Sequence, residues 1–215
     1  SIINICTGIR ADINKNTQEI KANLIIAKRD YAFGLVATYS DVNNFDISTL
    51  IKNSTSFTAV MSDGHSWTTR HAEALRQRFR NKKHNTTFIF AHPESDQIPI
   101  ISRKIGINPE SYPQRIYSTI KQLKSLNHQN VELEILGHFL ISPYSLFIAD
   151  EVIVISPYYI SSQRGTPPVI VIKNVGEESY FQKIVADIEF LKNESAKITT
   201  PPENSTLASD KRDNG

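Results

Sequence analysis

Residues 137–159 read GHFLISPYSLFIADEVIVISPYY. Within them, SLFIA (145–149) and VIVIS (152–156) are short apolar runs rich in β-branched and aromatic residues. Runs of that length and composition suit strands better than helices. Only Asp150 and Glu151 separate them, which predicts a hairpin with an acidic turn. Neither run has a polar face, so the pair is expected inside a sheet covered on both sides.

The flanking sequence extends this sheet. FGLVATY (33–39), FTAVMSDG (57–64), TTFIFAHP (86–93), VELEILG (131–137) and PPVIVIKN (167–174) also read as strands. Helical stripes lie between them. DISTLIKN (46–53) starts at Asp46, a plausible N-cap. SWTTRHAEALRQRFRN (66–81) carries Ala72, Leu75 and Phe79 on one face, with Ser66 as its expected cap. NPESYPQRIYSTIKQLKSL (108–126) aligns Ile116, Ile120, Leu123 and Leu126, and EESYFQKIVADIEFLKN (177–193) aligns Phe181, Ile184, Ile188 and Leu191. This order predicts an α/β domain over residues 31–196, with a mixed, mostly buried β-sheet flanked by helices.

The ends differ from this core. Residues 1–30 place Ile2, Ile5, Ile9, Ile13, Ile20 and Leu24 at roughly helical spacing. They read as an N-terminal helical segment, either packed on the domain or forming a linker or stem. Residues 197–215 are polar with paired prolines, and are expected to be disordered.

Composition narrows the function classes. The 215 residues are 40% hydrophobic and 21% charged, as in globular proteins. A net charge of +2 provides no global field for a polyanion, so such binding needs a local patch. Cys6 is the single cysteine, which rules out an internal disulfide. The four Asn-x-Ser/Thr triplets, at Asn53, Asn85, Asn193 and Asn204, then read as chance, and a cytoplasmic setting is expected. No apolar run is long enough to span a bilayer. The chain opens on Ser1 rather than Met, which leaves room for an upstream partner domain or membrane anchor. A homo-oligomer is the expected assembly.

The element order resembles the phospholipase D-like superfamily. There, a strand carrying His-x-Lys-x-x-x-x-Asp is followed by a return strand, a small-residue corner and a closing helix. Here Asp150 ends SLFIAD in the family's Asp place, EVIVIS matches the return strand, and PYYISSQR stands at the corner. PVIVIKNVGEESYFQKIVADIEFL resembles the closing strand and helix. The family's chemistry needs a His nucleophile and a Lys to hold phosphate oxygens. Counting back from Asp150, those places hold Pro143 and Ser145, and His138 falls five residues early. The resemblance therefore implies a pseudoenzyme that binds rather than cleaves.

On that reading the rim of the old site supplies the ligand-binding candidates His138, Tyr144, Ser145, Tyr158, Tyr159 and Arg164. The plainer alternative for each is core packing or a surface loop. A second candidate is the SDGHSWTTR turn (62–70), where His65, Ser66 and Arg70 adjoin a helix N-terminus suited to an anion. RQRFRNKKH (76–84) is the densest basic run, and Arg76, Arg78, Arg80, Lys82 and Lys83 are its candidates for nucleic-acid contact. The alternative is a solvated helix end. His92 and Glu94 form a candidate acid–base pair. The six histidines show no metal spacing, and no motif calls for a cofactor.

The leading expectation is thus a non-catalytic sensing domain for a phosphate-bearing ligand such as a nucleotide or nucleic acid. Related non-catalytic domains in bacteria are joined to DNA-binding or membrane segments. One alternative is a divergent phosphodiesterase or nuclease using His65, His92 or His138. The other is a protein-interaction or oligomerisation domain.

Overall fold

The alternation of strand and helix signals closes into a three-layered α/β structure. A computed structural model of the chain describes residues 15–26, 28, 33–129, 131–159 and 165–199. The expectations for Ile2, Ile5, Cys6, Ile9, Ile13 and Arg164, and for most of the polar tail, lie outside those residues.

The sheet has eight strands: β1 (Leu35–Tyr39), β2 (Ser56–Val60), β3 (Asn85–Ala91), β4 (Leu133–His138), β5 (Tyr144–Ala149), β6 (Val152–Pro157), β7 (Val169–Lys173) and β8 (Ala196–Lys197). Their spatial order is β1-β7-β6-β5-β2-β3-β4-β8. β2, β3 and β4 run parallel, and every other pairing is antiparallel, so the sheet is mixed. The β5–β6 pair is the hairpin expected from the sequence, with Ala149 opposite Val152 across the two-residue turn.

The helices are α1 (15–26), α2 (Ile47–Asn53), α3 (His65–Arg70), α4 (Ala72–Arg78), α5 (Ile98–Ile105), α6 (Tyr112–Leu126) and α7 (Tyr180–Asn193). α3 and α4 link β2 to β3, and α5 and α6 link β3 to β4, as parallel strands require. One sheet face packs Phe57, Ala59, Phe88, Phe90, Phe147 and Val154 against α2 and α4–α6. The other packs Val60, Ile89, Leu146, Ile153 and Ile172 against Phe181, Ile184 and Ile188 of α7. Neighbouring residues on one strand thus serve opposite cores, the two-residue period of a pleated strand.

Several expectations are corrected. The helix read as 66–81 is two helices, broken at His71. Ser66 does not cap it; Gly64 stands at the N-cap in the left-handed region, at φ 63. A Cβ there would meet a Phe90 ring carbon at 2.6 Å, so sterics and backbone both demand glycine. Asp46 does cap α2, its carboxylate accepting from the Ser48 amide at 2.9 Å. α5 was not anticipated. Nor was β8, which pairs with β4 and leaves Ile198 buried beyond the expected domain edge at 196. α1 leaves Ile20, Leu24, Ile25 and Ile26 exposed rather than packed on the domain.

Candidate functional site

The C-terminal ends of β2, β3 and β4 and the open end of the β5–β6 hairpin lie along one edge of the sheet. In open α/β sheets, ligands collect outside the carboxyl ends of the parallel strands. Two cavities lie there, on the face covered by α3, α5 and α6. One, of about 480 Å³, is walled by Met61, Trp67, Ile100, Ile101, Tyr112, Ile141 and Pro143. Its polar groups are Ser62, Asp63, His65, Ser66, Lys104, Ser142, Ser145 and Tyr158. The other, about 370 Å³, adds Asn43, Arg70, His71 and Ser156 around Phe45, Phe147 and Val154. Ser66, Trp67, Ser145 and Tyr158 line both.

The centre is a hydroxyl pair. Ser145 Oγ and Tyr158 Oη lie 2.7 Å apart, and the Ser62 amide donates to Tyr158 Oη at 3.4 Å. β-sheet register explains the pairing: Ser145 opposes Ser156, which places Tyr158 just past the strand end on the same side. Burial pushes the Tyr158 phenol up, more than the bonds from Ser145 and Ser62 lower it. The pair therefore stays protonated at neutral pH and offers hydrogen bonds rather than a base. Lys104 Nζ stands 4.9 Å over the Tyr158 ring, a cation–π contact, and burial lowers its pKa.

The turn after β2 is filled by its own carboxylate. Asp63 Oδ1 accepts the His65 amide at 2.8 Å, and Oδ2 pairs with Arg115 Nε at 3.3 Å. This corrects the expected anion site at that turn: the first free amide of α3 already faces a negative charge, and α3 is only six residues long. His65 and Ser66 nonetheless line the larger cavity, while Arg70 lines the smaller and donates to Asn43 Oδ1 at 3.0 Å. His71 packs on Trp67 and lies 3.3 Å from Ser48 Oγ, and burial lowers its pKa.

The expected rim divides across the sheet. Ser145 and Tyr158 join His65, Ser66 and Arg70, two groups that the sequence kept apart. Tyr144 and His138 point to the opposite face, beneath α7, in a separate cavity. Tyr159 is exposed and lines none of these cavities. Asp150, in the family's Asp place, lies at the far end of β5, roughly 17 Å along the strand from Ser145 at about 3.4 Å per residue. Its φ is 47, and its carboxylate accepts from the Thr55 and Ser56 amides at 3.0 and 2.9 Å. It fastens the hairpin tip to β2.

The basic run is corrected too. Arg78 is fully buried, 0% exposed, and cannot reach a nucleic acid. Its guanidinium donates to Ile51 O, Ser54 O and Oγ, Thr55 O, Asn85 O and Thr86 Oγ1, and lies over the Phe57 ring. Arg76 is paired with Glu73. Arg80, Lys82 and Lys83 are exposed, at the end of the sheet opposite the cavities. His92 is no acid–base partner of Glu94: its ring stacks on Phe139, and Nδ1 accepts the Glu94 backbone amide at 3.2 Å.

Trp67, Lys104, Ile101, Tyr112, Asp63 and Arg115 were not foreseen as site residues. Pro99 and Gly106 bracket α5 as a helix start and an αL stop, and would have revealed Lys104's helix. Among the described residues, no helix is long and apolar enough to cross a membrane, and no group of three or more His, Cys, Asp and Glu side chains gathers for a metal.

No protein-family model matches the chain, and no curated protein does. One similar solved structure is that of TrmBL2, described as an archaeal chromatin protein that shows a novel mode of DNA binding. The alignment has a TM-score of 0.44 and 9% identity, and covers 88% of this chain and 64% of that one. The chain thus spans less than two thirds of the length of that protein.

Proposed function

We propose that this domain is a non-catalytic ligand-binding module on a phospholipase D-like scaffold, and that it senses a small phosphate-bearing molecule such as a nucleotide. The observation that carries this reading is the convergence of Ser145, Tyr158, Ser66 and Lys104 on one largely apolar concavity at the sheet end. Trp67, Met61 and Ile101 offer an apolar seat for a flat body. Lys104 and the hydroxyls of Ser145 and Tyr158 suit phosphate oxygens. Asp63, held by Arg115, suits a donor such as a sugar hydroxyl.

The same chemistry argues for binding over turnover. Phosphoryl transfer through the protein needs a nucleophile activated by a base. Ser145 is bonded instead to a phenol whose pKa is raised. Thermal unfolding of the full chain with AMP, inorganic phosphate and adenosine tests the reading. Binding at a hundred times Kd stabilises by about 2.7 kcal/mol, which is roughly 5–10 °C for a domain of this size. AMP is expected to give such a shift, to be recovered unchanged, and to lose its effect in Lys104→Met. Equal stabilisation by adenosine, or hydrolysis of AMP, would overturn it.

A further inference from the structure

The opposite face of the sheet holds a polar group that the groove does not use. His138 ends β4 and is 2% exposed. It shares parity with Leu136, so its ring lies on the α7 side. Neither ring nitrogen meets a partner in hydrogen-bond geometry. Burial lowers its pKa, and the nearby Leu140 backbone offsets this only in part, so the ring is neutral and offers one donor and one acceptor. Buried polar groups in native proteins are nearly always partnered, and one left open calls for an explanation.

The ring faces a cavity of about 180 Å³ between β4, β5 and α7. That is roughly six water volumes of about 30 Å³ each, space for a molecule of a few heavy atoms. Val60, Ile188 and Leu191 form an apolar wall, and Tyr144, Asp187 and Ser142 are its other polar groups, the Ser142 hydroxyl being donated to the Tyr144 carbonyl at 2.7 Å. Asp187 makes no ion pair among the described residues, and its charge helps raise the Tyr144 pKa, after burial. No lysine or arginine lines the cavity. An anion here would therefore meet an uncompensated carboxylate, whereas a cation would neutralise it.

We propose that this cavity is a second binding site, which takes a small ligand bearing an ammonium group on a short hydrocarbon body. The ammonium donates to the Asp187 carboxylate, the Tyr144 hydroxyl and the unprotonated nitrogen of His138, matching three donors to three acceptors. The hydrocarbon lies against Val60, Ile188 and Leu191. The site stands apart from the groove around Tyr158, which lies across the sheet, although residues 141–143 form a wall of both cavities.

The test is an NMR titration of the full chain at neutral pH, following the His138 ring resonances. The probe is n-butylammonium, with n-butyrate and 1-butanol as its charge-reversed and uncharged counterparts. Saturable shifts with n-butylammonium are expected, with affinities at least about tenfold weaker for the other two. Asp187 is exposed on α7, so Asp187→Asn should fold normally and weaken n-butylammonium about tenfold. His138→Phe, followed on the backbone amides of Val60, Leu140 and Leu191, should abolish binding, and Tyr144→Phe should weaken it with the fold intact. The proposal is overturned if n-butylammonium leaves the ring unshifted, if butyrate or butanol binds as well, or if Asp187→Asn binds like the wild type.

Discussion

Replacing Arg78 by methionine removes a fully buried charge while keeping the hydrocarbon stem. The guanidinium makes six donor–acceptor contacts, from 2.5 to 3.1 Å, to α2, the α2–β2 connection and β3. At a mean net value of about 1 kcal/mol each, these contribute about 6 kcal/mol. Against them stands desolvation, which lowers the Arg78 pKa from 12.5 to about 10 despite the opposing charge of Asp150. At 1.36 kcal/mol per pKa unit, that burial costs about 3 kcal/mol. Methionine recovers the second quantity and forfeits the first, for a net loss of about 3 kcal/mol. Urea denaturation should show this as a lower midpoint with an unchanged slope, and the melting temperature should fall by roughly 6–12 °C. Arg78→Lys keeps the charge but not the planar fork, and should fall between the two. A methionine variant within about 0.5 kcal/mol of wild type would refute the reasoning, since the contacts would then be worth no more than the charge costs to bury.

Three further outcomes follow from the same structure. Asp150→Ala removes the acceptor of the Thr55 and Ser56 amides and leaves alanine at a φ of 47, so chemical denaturation should show a loss of about 1–2 kcal/mol, less for Asp150→Gly. Gly137→Ala would set a Cβ 2.7 Å from the His92 ring, 2.8 Å from Ile198 and 3.1 Å from His92 Cα, and overpacking of this kind should cost about 1–3 kcal/mol by the same assay. Burial holds the folded-state pKa of His138 below the ordinary histidine value of 6.5. Above pH 6.5 both states are neutral; below it the unfolded chain takes up a proton that the buried ring refuses, so stability falls as pH drops from about 6.5 toward the folded-state pKa. Denaturation midpoints against pH should show this slope and a flatter one in His138→Phe, with His71 and His84, both also lowered by burial, contributing to what remains.

The fold was legible where one signal dominated. Continuous apolar runs in β3, β5 and β6 marked strands covered on both faces, and the stripe Ile116, Ile120, Leu123 and Leu126 is wholly buried on α6. α5 escaped because eight residues present barely two turns, but its proline start and glycine stop were in view. The site was misread for a simpler reason. Tyr144 and Ser145 are adjacent on one strand and must face opposite ways, so they could never share a pocket. Arg78 was likewise grouped with its basic neighbours, although helical spacing sets it with the buried Ala74 and Leu75. The approach of Lys104 to Tyr158 joins segments more than fifty residues apart, and no local pattern announces it.

A phosphate-bearing ligand is expected in the groove around Tyr158. Backbone amide shifts of the full chain, recorded through an AMP titration, test that placement directly. Saturable shifts confined to residues 62–67, 100–105, 141–145 and 158, all at the groove, are expected. Shifts centred on Arg80, Lys82 and Lys83 at the other end of the sheet, or none at saturating AMP, would contradict it.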